Sequence, residues 1–223
     1  MKKLEGTYRE IWAIAYPIML GGLAQTILNV TDTAFLARVG ETELAAAALG
    51  GVFYFVLVMI GMAIAVGMQI IISRYAGEGD RQAISRAFDN GLLLLLSVTI
   101  SMFAFSTLFT EFVFALIIKD QEVLKAAQVF IYYRSFGLLV TVPALAVRAF
   151  FTGISKTKII SIHAALSAGI NILFDYVLIF GHLGFDPMGI KGAGIATASA
   201  EIIAGIYVFV DRKSTRLNSS HVS

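Results

Sequence analysis

The chain has 223 residues, of which 58% are hydrophobic and 14% charged. Counting glycine in place of tyrosine brings the apolar share to about 63%, against about 45–50% apolar and 25% charged in ordinary globular chains. A chain this short cannot hide so much apolar surface from water, so its solvent is lipid. A net charge of +2 leaves no general basic footprint for nucleic acid, and the absence of cysteine excludes disulfides, iron–sulfur clusters, thiolate zinc sites and cysteine nucleophiles.

Lys2, Lys3 and Arg9 precede a first uncharged run, Ile11–Thr31, of 21 residues. The run lacks a small-residue cleavage site and reads as a retained span rather than a removed leader. About 20 apolar residues cross the roughly 30 Å hydrocarbon layer as a helix. On that measure the sequence predicts six spans, at about 11–37, 44–73, 90–110, 123–147, 159–180 and 190–210. Continuous rather than alternating runs favour helices over a β-barrel. The expected fold is therefore all-α and integral to the membrane. Residues 1–210 form one transmembrane lobe, and 211–223 form a polar, serine-rich tail read as non-native and set aside.

Connections carry turn chemistry. AGEGD at 76–80, TGISKTK at 152–158 and GHLGFDPMG at 181–189 are glycine-marked loops. The one long connection expected is 111–122. With the N-terminus inside, Lys2, Lys3, Arg9, Arg74, Arg81, Arg86, Arg148, Lys156, Lys158, Arg212, Lys213 and Arg216 fall inside. Only Arg38, Lys119, Lys125 and Lys191 fall outside. Twelve against four predicts a cell-membrane protein with both termini of this segment cytoplasmic.

An ionisable side chain inside a span costs about 2.5–3.5 kcal/mol on insertion scales and invites a functional reading. Four such residues exist: Asp32, Arg134, Asp175 and Glu201. Asp32 and Asp175 each lie about five residues before the outer ends of outward-running spans, roughly 8 Å below the surface at 1.5 Å per residue. Thr197, on the inward-running sixth span, falls at nearly the same level. Gln25, Asn29 and Asp32 share one stripe of the first helix, Asn171 and Asp175 one face of the fifth, and Thr197 and Glu201 one face of the sixth. Around one cavity these faces offer two carboxylates, amides and a hydroxyl. Such hard oxygen ligands suit sodium or a proton and argue against zinc or copper. Two close carboxylates in low dielectric cannot both stay charged without a cation, which suits a coupling device in a transporter. The competing reading is that the polar residues only join helices by hydrogen bonds.

Arg134 and Glu201 sit near mid-span and are expected to pair, since either alone is expensive there. Pro17 breaks one backbone bond of the first helix and is a candidate hinge. Gly21, Gly22, Gly50, Gly51, Gly61 and Gly67 are expected to allow close helix packing.

AYPIMLGGLAQTILNVTDTAFLARVG (15–40) and ELAAAALG (43–50) resemble the first span and loop of the multidrug and toxic compound extrusion (MATE) transporters. RAFFTGISKTK (148–158), NILFDYVLIFG (171–181) and GIKGAGIATASAE (189–201) resemble the family's fourth-to-sixth-span segments. The likeness runs in order over nearly all of residues 10–210. It implies an antiporter that expels organic, often cationic compounds in exchange for sodium or protons. It also implies twelve spans in two six-helix lobes, so this chain corresponds to an N-terminal lobe whose C-terminal partner lobe is missing. By the same resemblance the lobe's cation site falls on Asp32, Asn171, Asp175 and Thr197, with Gln25 lining the cavity and Pro17 bending the helix. Asn29, Glu201 and Arg134 are added as cavity-lining on depth and face alone. The partners implied are small organic molecules and membrane lipid, with no nucleic acid. No cofactor is expected beyond the coupling ion.

Other readings remain. A lipid-linked oligosaccharide flippase of the same superfamily would put basic residues in the cavity, where this one is acidic. A self-contained six-span channel would need a filter segment, for which only 111–122 is long enough. An intramembrane enzyme is disfavoured, because H-E-x-x-H, G-x-S-x-G and phosphate-loop patterns are absent.

Overall fold

A computed structural model describes residues 8–220, all but the connections of them helical. The six helices are α1 (Tyr8–Val39), α2 (Glu41–Glu78), α3 (Arg81–Ile117), α4 (Gln121–Gly153), α5 (Lys158–Phe180) and α6 (Gly189–Ser220). No strand occurs among the described residues. The side chains of 211–220, and residues 221–223 altogether, lie outside what is described, so the reading of a polar tail is not addressed.

Each helix extends past the apolar run that predicts it, because polar end turns can sit at headgroup level. Helices stop where a cap exists. Asp80 accepts from the Ala83 N–H at 2.8 Å and opens α3. Asp120 accepts from Glu122 and Val123 at 2.8 and 3.0 Å and opens α4. Gly79 and Gly181 close α2 and α5 at φ 77° and 76°, a left-handed conformation that glycine adopts without strain. The expected long connection at 111–122 is not a loop. α3 runs through Glu111 to Ile117, and only residues 118–120 separate it from α4. An exposed glutamate does not end a helix; α3 closes at Ile118, and Asp120 already caps the start of α4.

α4 is the hub. It packs against α2, α3 and α6, while α5 bridges α1 and α6. The consecutive pairs α1–α2 and α4–α5 touch little. Leu138, Val142 and Val147 of α4 are fully buried against partners such as Ile72 of α2 and Phe88 and Leu95 of α3. Val52, Ile70, Leu93, Ile100, Leu108 and Phe112 face outward instead, as lipid-facing residues must.

α1 to α5 are each long and apolar enough to cross a membrane. α6 is of matching length but rich in small residues, with Ala193, Ala196, Ala200 and Ala204 buried. A helix enclosed by α4 and α5 has no lipid to meet along that face and uses small residues to approach its neighbours. The glycine expectation holds in part. A Cβ at Gly50 would stand 2.7 Å from Phe130, one at Gly61 2.9 Å from Val142, and one at Gly21 in ordinary contact with Ala164. Gly22, Gly51 and Gly67 face open space instead. They stand about 100° round the helix from any packed position next to them.

Candidate functional site

α5 carries Asn171 and Asp175 into the interior, where they are fully buried, at 0% and 1% exposure. α1 brings a half-buried Asp32 from one side, and α6 brings the buried Thr197 from the other. These four side chains meet. The Asn171 amide lies with its nitrogen toward the carboxylates, the orientation that satisfies all its atoms. That nitrogen donates to Asp32 Oδ1 at 2.8 Å and to Asp175 Oδ2 at 2.9 Å. Its oxygen accepts from the Thr197 backbone N–H at 3.3 Å and faces the Thr197 hydroxyl at 3.1 Å. The single hydroxyl proton of Thr197 is shared with the Ala193 carbonyl, 2.8 Å away. One asparagine thus ties three helices and bridges two acids.

The bridge is incomplete in one respect. Asp175 Oδ1 is buried with no hydrogen-bond partner. A bare carboxylate oxygen in the interior is costly and calls for an explanation. Asp32 lies within hydrogen-bonding reach of Asp175, so two acids share this small volume. The donor set fits a proton or a hard monovalent cation: oxygen ligands, one of them unsatisfied, and more negative charge than the amide neutralises. Asn171 spends both amide protons on the acids, so in this arrangement it bridges them and does not offer its own oxygen to an ion.

A second polar cluster lies on α2, α4 and α6. Arg134 Nη2 donates to Glu201 Oε1 at 3.0 Å, forming the ion pair expected from depth. Tyr54 and Thr141 both donate to Glu201 Oε2 at 2.7 Å. The Arg134 guanidinium also lies 4.0 Å from the Tyr54 ring centroid. Arg134 Nη1 is buried without a hydrogen-bond partner. Tyr54 and Thr141 were not legible as partners, because a hydroxyl in an apolar helix gives no sign of where it points.

Gln25 and Asn29 lie on the exposed face of α1, joined by a 3.3 Å hydrogen bond. They continue the Asp32 stripe toward the N-terminal end of α1 and do not join the buried cluster. Two clefts occur elsewhere, of about 420 and 350 Å³, and neither is lined by Gln25, Asn29, Arg134 or Glu201. Pro17 sits inside an unbroken α1, and its carbonyl accepts from the Ser161 hydroxyl of α5.

Long apolar helices with carboxylates held inside the bundle define an integral membrane protein of helical, polytopic type. The MatE family model matches residues 17–177, and the chain belongs to that family. It is 25% identical over 94% of its length to a probable multidrug resistance protein NorM from Brucella suis, and covers 45% of that protein. It is 28% identical over 87% of its length to a protein of the same name from Bradyrhizobium diazoefficiens, covering 41%. The fold matches a MOP superfamily transporter from Pyrococcus furiosus with a TM-score of 0.81 at 20% identity, over 93% of this chain and 47% of that one. The chain therefore spans about half the length of the relatives it matches.

Proposed function

We propose that this chain is the N-terminal lobe of an exporter of organic, often cationic compounds, driven by inward flow of sodium or protons. The observation that supports it is the convergence of Asp32, Asn171, Asp175 and Thr197 from three helices, with a buried carboxylate oxygen left for a cation. The name shared by the NorM relatives favours drug-like substrates. Coupling requires the site to be awkward when empty and comfortable when a proton or sodium is present, and two acids at close range have that property. Alternating access requires a second, partner lobe moving against this one. Pro17 serves as the hinge of α1 in this reading, with Gln25, Asn29, Arg134 and Glu201 toward the shared cavity. The lysine and arginine bias favours cytoplasmic termini for this segment.

The test is transport by the lobe joined to its second half. In inside-out vesicles, ethidium movement should follow an imposed sodium or proton gradient. Asp32→Asn and Asp175→Asn should each abolish the gradient-driven component while the protein stays in the membrane. Wild-type rates in either variant would overturn the assignment.

A further inference from the structure

The larger cleft, about 420 Å³, lies where the start of α1, the α4–α5 turn and the later part of α6 meet, and none of Asp32, Asn171, Asp175 or Thr197 lines it. Its walls are of two kinds. Ala13, Ile162 and Tyr207 make an apolar side, while Lys156 and Lys158, both exposed, stand over the other with Ser155 between α4 and the first lysine. No carboxylate lines it among the described residues. The turn that carries the lysines is well defined. The Ser155 N–H donates to the Thr152 carbonyl at 2.9 Å and the Lys156 N–H to the Phe151 carbonyl at 2.8 Å. Ser155 takes a left-handed φ of 60° to make this closure, in the manner of a helix C-terminal cap. The backbone that carries both lysines is thereby fixed at the junction of α4 and α5, at one end of two apolar helices.

We propose that this cleft binds an anionic phospholipid, with the phosphate between Lys156 and Lys158 and an acyl chain along Ala13, Ile162 and Tyr207. Charge complementarity selects the occupant. Two cations at a cleft with no carboxylate among its described lining residues favour a phosphate that carries net charge over a zwitterionic headgroup, and the apolar wall favours a molecule with a hydrocarbon tail over a free ion. Each lysine near an anionic surface adds about 1 kcal/mol to the attraction, so two give about a thirtyfold preference.

The chain supplies its own probe. Trp12 is the single tryptophan, exposed, and adjacent to Ala13 in the cleft wall. The 223-residue chain is reconstituted in phosphatidylcholine nanodiscs with increasing brominated phosphatidylglycerol or, separately, brominated phosphatidylcholine. Trp12 quenching should reach half its maximum at about thirtyfold less of the anionic lipid. The preference should vanish in Lys156→Gln/Lys158→Gln and persist in Lys156→Arg/Lys158→Arg. Lys119→Gln/Lys125→Gln, at the other end of the bundle, should leave it unchanged. Helix content by circular dichroism confirms that each variant is folded. Equal quenching by the two lipids, an unchanged preference in the glutamine pair, or an equal loss on removing Lys119 and Lys125 would each overturn the site. So would abolition of the preference by inorganic phosphate but not by chloride of equal ionic strength, since the occupant would then be the free ion.

Discussion

Two polar clusters sit within this lobe, and they are built on opposite plans. Around Glu201, a carboxylate receives an arginine, a tyrosine and a threonine, so its negative charge is matched and every acceptor oxygen is used. Around Asn171, two acids share a single amide and one carboxylate oxygen is left bare. A charge-balanced cluster of this kind has no call for a cation, even with Arg134 Nη1 left over, and fixes α2, α4 and α6 against one another. An unsaturated one is held in place by Asn171 and Thr197 but stays short of positive charge. The contrast says which polar group in a membrane bundle joins helices and which is poised to bind an ion.

The sharpest way to break that contrast is to unbalance the saturated cluster. Glu201→Leu leaves Arg134 buried without its counter-charge and strands the Tyr54 and Thr141 hydroxyls. Removing one partner of a buried pair costs about 3–5 kcal/mol, and partial exposure of both side chains, 15% and 18%, puts this one toward the lower figure. Thermal unfolding in detergent should show a large drop. Arg134→Met with Glu201→Leu should be milder than either change alone, because no unpaired charge remains. Equal damage from the double change and the sum of the singles would show that the two do not act as partners.

Asp32→Asn and Asp175→Asn should behave in the opposite way. Each removes a charge from a crowded acidic pair, so the lobe's stability should hold within about 1 kcal/mol or rise. Gradient-driven efflux by the two-lobe protein should be lost all the same. A melting loss as large as that of Glu201→Leu would make the Asn171 cluster a second helix joint, which is the alternative reading of these residues. Asn171→Ala tests the bridge itself. It removes a neutral group, so apparent cation affinity should fall less than in the aspartate variants.

Depth along a helix was legible in the sequence, and so the level shared by Asp32, Asp175 and Thr197 could be counted, as could the pairing of Arg134 with Glu201. Direction round a helix was legible only where polar residues repeat. In water, a helix marks its buried side by polarity. In lipid, the packed and exposed sides are both apolar, so Gly50 and Gly51 read alike although one meets Phe130 and the other faces open space. Tyr54 and Thr141 were missed for the same reason. The α3–α4 connection is shorter than the charges suggest, because α3 runs through Glu111 to Ile117 and Asp120 already caps the start of α4.

Smaller changes in the saturated cluster grade its parts. Tyr54→Phe deletes one 2.7 Å bond to a charged acceptor and nothing else. Bonds to charged groups are worth about 1.5–3 kcal/mol, and Glu201 keeps Arg134 and Thr141, so the loss should lie near the bottom of that range. Gly137→Ala should cost more than its helix propensity suggests, because its Cβ would collide with Glu201 Oε2. Chemical unfolding of each variant against wild type measures both.

The smallest effect on the lobe should come from Gln25→Ala and Asn29→Ala, and it separates the stripe on α1 from the cluster at its end. Their mutual bond is long, 3.3 Å, and exposed. Pairs of this kind stabilise a helix by about 0.2–0.5 kcal/mol, so unfolding of the isolated lobe should be nearly unchanged. In the two-lobe protein the same exposed face of α1 turns toward the other half in the proposed reading, and the side chains exposed here then meet substrate. Half-saturating drug concentration should rise while the dependence on the driving ion stays as in wild type. A shift in ion dependence instead would extend the coupling site outward from Asp32 along the whole stripe, and the boundary between binding an ion and binding a drug would have to be redrawn one or two helical turns further along α1.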